Sequence, residues 1–219
     1  MSKKLIIFDL DGTLLDTSKD LMTSMNKMLE SFGFPLITVE QAKQYIGNGA
    51  KNFVLRSLPE NEKDKVEEAL KVYNSIYNAS GSPYTCLYEG IADLLACLKR
   101  ENVLLAIVSN KPQPSTYEVY KKYLSGFGFD CVYGKRDGFK HKPQKECGEY
   151  VLNALNVKPE DVVVVGDGET DVEFAKNLGV SMIAVTWGYR TKEVLASYGA
   201  NSFVQNSLEL KEKLFQFIK

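Results

Sequence analysis

Residues 4–13 read KLIIFDLDGT, a short apolar run over 4–8 broken off by Asp9, Leu10, Asp11, Gly12 and Thr13. The run is too short for a helix and ends in an Asp-Gly turn signal, which predicts a buried strand followed by a tight turn. Similar runs recur downstream: VLLAIV at 103–108, VVVV at 162–165, MIAV at 182–185, and a weaker strand near 130–133. Between them the apolar spacing is helical. Ile91, Leu94, Leu95 and Leu98 mark a helix over 90–100, and further helices are expected near 145–155 and 171–178. The last of these ends at Gly179, a residue suited to a left-handed cap. Continuous apolar strands alternating with helices are the pattern of a parallel sheet covered on both faces.

Residues 15–83 break that rhythm. Leu21, Met22, Met25, Met28, Leu29 and Phe32 recur at helical spacing, with Ser18 or Asp20 available as a cap. A second helical face over 61–78 carries Val66, Ala69, Leu70, Tyr73, Ile76 and Tyr77. No strand-like run lies between 15 and 83. The expected fold is therefore a doubly wound, Rossmann-like α/β core, 1–14 and 84–219, with a helical cap, 15–83, inserted after its first strand. The methionines at 22–28 read as packing inside the cap.

The 219 residues hold 27 Lys plus Arg against 28 Asp plus Glu, a formal charge of -1, and no long basic run. That argues against nucleic acid and anionic membranes as partners. Cys86, Cys97, Cys131 and Cys147 form no CxxC pair and read as free thiols of a reducing compartment. The apolar run near the N-terminus is shorter than a signal peptide requires, and no stretch approaches membrane-spanning length. A soluble cytoplasmic protein is expected, as monomer or homodimer.

In open parallel sheets ligands bind beyond the carboxyl ends of the strands. The first predicted strand delivers Asp9 and Asp11 there. The second delivers Ser109, Asn110 and Lys111, and the run at 162–165 is followed by Gly166, Asp167, Gly168, Glu169, Thr170 and Asp171. Lys142 lies in the loop His141-Lys142-Pro143 before that run. Several carboxylates with one lysine make chemical sense only around a divalent cation, because like charges oppose one another's ionisation. Hard oxygen donors with neither Cys nor His select magnesium over zinc. A carboxylate can also attack phosphorus to form an aspartyl phosphate, with the metal, Lys142 and backbone N–H groups stabilising the transferring group.

DLDGT (9–13), SNK (109–111), HKP (141–143) and GDGETD (166–171), in that order, resemble the four motifs of the haloacid dehalogenase superfamily. The insertion, with YIGNGA (45–50), LYEGI (87–91) and TWGY (186–189), is similar to that of its phosphoglycolate-phosphatase-like branch. Carried over residue by residue, the resemblance implies Asp9 as nucleophile and Asp11 as general acid/base. Thr13 would support the turn, Ser109 would hold a phosphate oxygen, and Lys142 would bind phosphate and Asp9. Asp167 would bind magnesium beside Asp9 and the Asp11 carbonyl, with Asp171 as a ligand or the carboxylate behind it. Leu10, Gly12, Thr13 and Asn110 are expected beside the substrate, joined from the cap by Asn48 and Arg56, with Lys51 nearby. The chain departs from the branch at Gln144, where a second proline is usual, and at Gly168, where serine or threonine is common.

Outside that resemblance, Ser109-Asn110 reads as a helix N-cap, Asp171 as a cap of the next helix, Glu169 as a solvated loop residue and His141 as structural. The expected activity is magnesium-dependent hydrolysis of a small phosphate monoester, phosphoglycolate-like or a sugar phosphate. The alternatives are a phosphosugar mutase on the same fold and a non-catalytic phospho-aspartate receiver or binding protein. A dehalogenase would need neither Asp11 nor magnesium. A receiver would have no use for the insertion.

Overall fold

The computed structural model describes residues 3–219. In chain order the elements are β1 (Leu5–Phe8), β2 (Leu15–Asp16), α1 (Ser18–Ser31), α2 (Val39–Tyr45), α3 (Ala50–Ser57), α4 (Val66–Ala79), β3 (Cys86–Leu87), α5 (Ile91–Leu98) and β4 (Leu104–Pro112). They continue with α6 (Gln113–Tyr123), β5 (Cys131–Lys135), α7 (Glu146–Leu155), β6 (Val162–Gly166), α8 (Glu169–Leu178), β7 (Ser181–Val185), α9 (Lys192–Ser197), β8 (Phe203–Val204) and α10 (Ser207–Ile218).

Six strands form one parallel sheet in the order β5-β4-β1-β6-β7-β8. Alternation along β1 shows why it lies at the centre. Ile6 and Phe8 face one side, with Leu94, Leu95, Leu98, Leu210 and Leu214 of α5 and α10. Leu5 and Ile7 face the other, with Cys147, Val151, Phe174 and Leu178 of α7 and α8. Both faces are dry, which is why β1 is apolar at every position. Phe8 pairs with Ile107 of β4 and with Val165 of β6. Asp9, the end of β4 and Gly166 therefore leave the sheet at one rim, where the strand order reverses.

Helices α1–α4 pack around a separate buried cluster that includes Met25, Met28, Leu29, Phe53, Val54 and Tyr73. The chain enters this helical unit from β2 and returns through β3. These two strands pair antiparallel, Leu15 with Leu87 and Asp16 with Cys86. Buried Asp20 ties the return to α1, accepting from the Tyr84 N–H at 3.1 Å and the Thr85 hydroxyl at 2.7 Å.

Several local readings are corrected. The exit and return of the insertion carry a two-residue ladder that leaves no apolar alternation to read. Helix α2 begins at a capping box, Thr38 with Gln41, and neither it nor α3 stood out from periodicity. Ser109 and Asn110 cap no helix: β4 continues through them to Pro112, and α6 starts beyond.

Because Ile7 is 1% exposed between α7, α8 and the sheet, Ile7→Ala should lower stability by about 2–5 kcal/mol. Urea unfolding should show a lower midpoint with an unchanged slope. A shift near zero would mean that this side of the sheet is not packed as described.

Candidate active site

The turn after β1 is built to hold charge. Asp9 continues the strand, its N–H donating to the Val165 carbonyl at 2.9 Å. Its carboxylate meets the Lys142 ammonium at 2.7 Å, and the same ammonium reaches Asp171 at 2.6 Å. The second oxygen of Asp171 accepts from the Gly168 N–H at 3.0 Å, so Asp171 caps α8 and fixes Lys142 at once. Asp167 is held by the Thr13 hydroxyl at 2.7 Å and the Tyr189 N–H at 2.8 Å. Two glycines press on it: a Cβ at Gly12, φ +90, would stand 2.2 Å from a carboxylate oxygen, and one at Gly188 would stand 2.3 Å away. Only glycine permits that approach.

Carboxylate oxygens of Asp9, Asp167 and Asp171 lie within 4.8 Å of one another. Burial, and next the charge of Asp171, pushes Asp167 up to about 7. Burial also raises Asp9 well above the ordinary range. Lys142 pulls it back, and Asp171 and Asp167 push it further up. Burial alone would lower Lys142, but Asp171 and Asp9 outweigh it and raise the ammonium above its usual value. The cluster is short of positive charge: one ammonium faces three carboxylates.

Asp11 turns away from this cluster. Both its oxygens lie 3.1 Å from the Lys111 ammonium, and one accepts from the Thr17 hydroxyl at 2.7 Å. Lys111 is buried, its ammonium 4.7 Å from the centre of the Tyr77 ring. Asn110 donates to the carbonyls of Gly47 at 3.2 Å and Lys142 at 3.0 Å, joining β4, the lysine loop and the helical unit. The Ser109 hydroxyl accepts from the Lys111 N–H at 3.2 Å.

Asp9, Asp11, Ser109, Asn110, Lys111 and Lys142 line one cavity, closed from above by Ile46, Gly47, Gly49, Phe53 and Tyr77. The structure thus brings Asp9, Asp11 and Lys142 together with Ser109 and Asn110 around this cavity, while Asp167 and Asp171 stand beside Asp9 without lining it. It does not bring Leu10, Gly12 or Thr13 to the cavity. Leu10 is core, the Gly12 N–H closes the turn onto the Leu15 carbonyl, and the Thr13 hydroxyl is spent on Asp167. Arg56 donates to the Tyr45 carbonyl on an exposed face, and Lys51 pairs with Glu67. Asn48 sits between two lining glycines without lining the cavity itself. Glu169 is not a solvated loop residue; it is ion-paired to Arg190 at 2.6 Å. His141 stands apart from the carboxylate cluster.

Sequence reasoning assigned no role to Lys111, Tyr77, Tyr189 or Arg190. Lys111 was within reach, because a strand continuing through SNK puts Ser109 and Lys111 on one face. Tyr189 ends the TWGY segment that the resemblance singles out, whereas Tyr77 and Arg190 come from distant segments and carry no local signal for the site.

Residues 6–185 match the family described as haloacid dehalogenase-like hydrolase. Phosphoglycolate phosphatase 1 of Pseudomonas aeruginosa is 33% identical over 213 residues, 94% of this chain and 78% of its own length. The phosphoglycolate phosphatase of Vibrio vulnificus is 31% identical over 212 residues, 94% of this chain and 92% of its own. A solved structure from Lactobacillus delbrueckii subsp. bulgaricus superposes with a TM-score of 0.91 at 31% identity, over 98% of this chain and 99% of that one. A haloacid dehalogenase-like family protein of Streptococcus pneumoniae, 24% identical, shares the fold with a TM-score of 0.86 over 97% and 98% of the two chains.

An acid whose folded-state pKa is raised stabilises the fold below its unfolded pKa, and that contribution is lost as pH rises through the folded value. With Asp167 at about 7, the protein in chelator should lose stability between about pH 4 and pH 7. Asp167→Asn, which cannot ionise, should not show this component. Urea midpoints measured for both proteins across that interval should diverge toward neutral pH. Parallel curves would refute the electrostatic account of the cluster.

Proposed function

This chain belongs to the haloacid dehalogenase-like hydrolase family, and we propose that within it the chain hydrolyses small phosphate monoesters through Asp9. The observation that carries this reading is the Asp9 carboxylate at the end of a central strand, open to a cavity, with a buried ammonium at 2.7 Å and two further carboxylates beside it. The fold serves many chemistries, so the argument rests on this site.

The donor set fits a divalent cation. Three hard oxygen donors converge, no Cys or His stands among them, and two of the three carboxylates are pushed up, by burial first and then by the neighbouring carboxylates. Magnesium held by Asp9, Asp167 and Asp171 would supply charge to the phosphoryl oxygens. An oxygen of Asp9 attacks phosphorus, and the ester P–O bond breaks. Asp11 provides the proton that the leaving alcohol takes up. Water then attacks the aspartyl phosphate, Asp11 accepts its proton, and inorganic phosphate leaves with Asp9 restored. Lys142 and Ser109 hold phosphoryl oxygens in both steps, which is a positioning and electrostatic role.

The cavity, about 70 Å³, suits an ester of few heavy atoms. Its upper wall is largely apolar, and its second cation is Lys111. The Pseudomonas and Vibrio relatives are named for phosphoglycolate, an ester whose alcohol part carries a carboxylate. Such a group would find an ammonium in Lys111, whereas a sugar would meet few partners on the walls of Ile46 and Phe53. A phosphoglycolate-like substrate is therefore favoured over a sugar phosphate.

A panel of small esters assayed with and without magnesium tests this reading. Turnover should require the metal, and Asp9→Asn should fold yet lose at least about a thousandfold in kcat. Near-normal turnover by Asp9→Asn, or full activity in chelator, would overturn the mechanism. Lys111→Met should raise KM for carboxylated esters by about tenfold more than for uncharged ones. An equal effect on both would remove Lys111 from substrate selection.

A further inference from the structure

Arg190, two residues past Gly188, has its guanidinium almost fully used. Its Nε and one terminal nitrogen fork onto the Glu169 carboxylate at 2.6 and 3.2 Å. Its two terminal nitrogens reach across to the helical unit, donating to the Lys43 carbonyl at 2.6 Å and the Ile46 carbonyl at 2.5 Å. Those carbonyls belong to the last turn and C-cap of α2, which the helix leaves without intrahelical donors. A cation there also meets the negative end of the helix dipole. The side chain is 10% exposed, so these are charge-assisted bonds largely out of water.

What α2 leads into makes the contact consequential. Ile46, Gly47 and Gly49 follow directly and form part of the cavity wall. Backbone with two glycines has little rigidity of its own. It is fastened at one point by Asn110, which donates to the Gly47 carbonyl at 3.2 Å, and at another by Arg190. Glu169 opens α8, two residues beyond Asp167, so the acidic loop orients the very side chain that holds the wall opposite.

We infer that Arg190, oriented by Glu169, is a positioning residue that holds the 46–49 segment over the substrate cavity. This rests on the reading of that cavity as the phosphate ester site. With the clamp in place the wall stands formed before substrate arrives. Without it the binding-competent arrangement is one of several, and apparent affinity falls by the fraction of time the wall is formed. Arg190 touches no reacting atom. Its loss acts on substrate binding and leaves the chemical step intact.

The test compares wild type with Arg190→Met, Arg190→Lys and Glu169→Gln. Backbone amide exchange over 43–53 is read by mass spectrometry, and steady-state kinetics are read on phosphoglycolate and p-nitrophenyl phosphate. Arg190→Met should speed exchange over 46–53 and raise KM for both esters by about tenfold, with kcat changed far less. Exchange in β1 and β6 should stay as in wild type. Arg190→Lys, a point charge without the fork, should recover only part of both effects, and Glu169→Gln should move both in the same direction. Unchanged exchange over 46–53 in Arg190→Met would overturn the inference. So would faster exchange spread equally through β1 and β6 with KM unaltered, the signature of general destabilisation. If wild type hydrolyses neither ester, the phosphatase reading fails, and the exchange arm still decides whether Arg190 holds the wall.

Discussion

The Lys142 ammonium, all but excluded from water, lies between Asp9 and Asp171, and the geometry of the site hangs on that bridge. A buried ammonium is tolerated only with anions around it, and buried carboxylates only with a cation. Each therefore needs the other, and neither can move without stranding its partner. Asp171 carries the constraint into the scaffold through the Gly168 N–H, so that the lysine loop, α8 and the end of β1 are fixed relative to one another. The bridge still leaves the cluster deficient in positive charge, with Asp167 pushed up by burial and by Asp171. A site in that condition is prepared for a cation and for the anionic group that a cation attracts.

Two units divide the work of shaping the cavity. The sheet supplies the floor, because parallel strands in register end together and the reversal of strand order opens a crevice at Asp9. The helical unit supplies the roof through Ile46, Gly47, Phe53 and Tyr77. They are tied by polar contacts at the rim: Asn110 to Gly47, Arg190 to α2, and the Tyr189 hydroxyl to Thr17, which itself holds Asp11. Tyr189 and Arg190, neighbours in the loop after β7, thus add one tie each, to Thr17 beside Asp11 and to α2, while Lys111 and Asn110 of β4 supply the others.

The core was legible because its signals are local and redundant. A strand buried on both faces must be apolar along its buried length, as β1, β6 and residues 104–108 of β4 are; the Asp-Gly turn after β1 announces itself. The short elements were not legible. Thr38 and Gln41 start α2 with a capping box, yet the helix buries only Ala42 and shows no apolar face to read. The carboxylates of the site could be named from their positions after predicted strands, and the resemblance paired Lys142 with Asp9, but most of their other contacts could not be read. The Thr13 hydroxyl looks like a substrate contact in DLDGT and is in fact committed to Asp167, 154 residues away. Glu169 looks like a loop carboxylate until Arg190 is placed beside it. Pairings of that kind are created by the sheet order, and no window of sequence contains them.

The same sheet order sets a timetable for the growing chain. Leu5 pairs with Leu104 on one side and with Val162 on the other, so β1 emerges long before either neighbour exists. Helices α1–α4 contact mainly one another and close a cluster of their own from consecutive chain. Contacts close in sequence form before distant ones, whose loop-closure entropy must first be met. Helices α1–α4 therefore have all of one another synthesised while β1 is still without partners. The paired ends of the insertion, β2 and β3, bring residue 16 beside residue 86 and shorten the effective loop that β4 must close to reach β1. Asp9, near the start of the chain, gains its final surroundings only after Asp167 and Asp171 near the end have been synthesised.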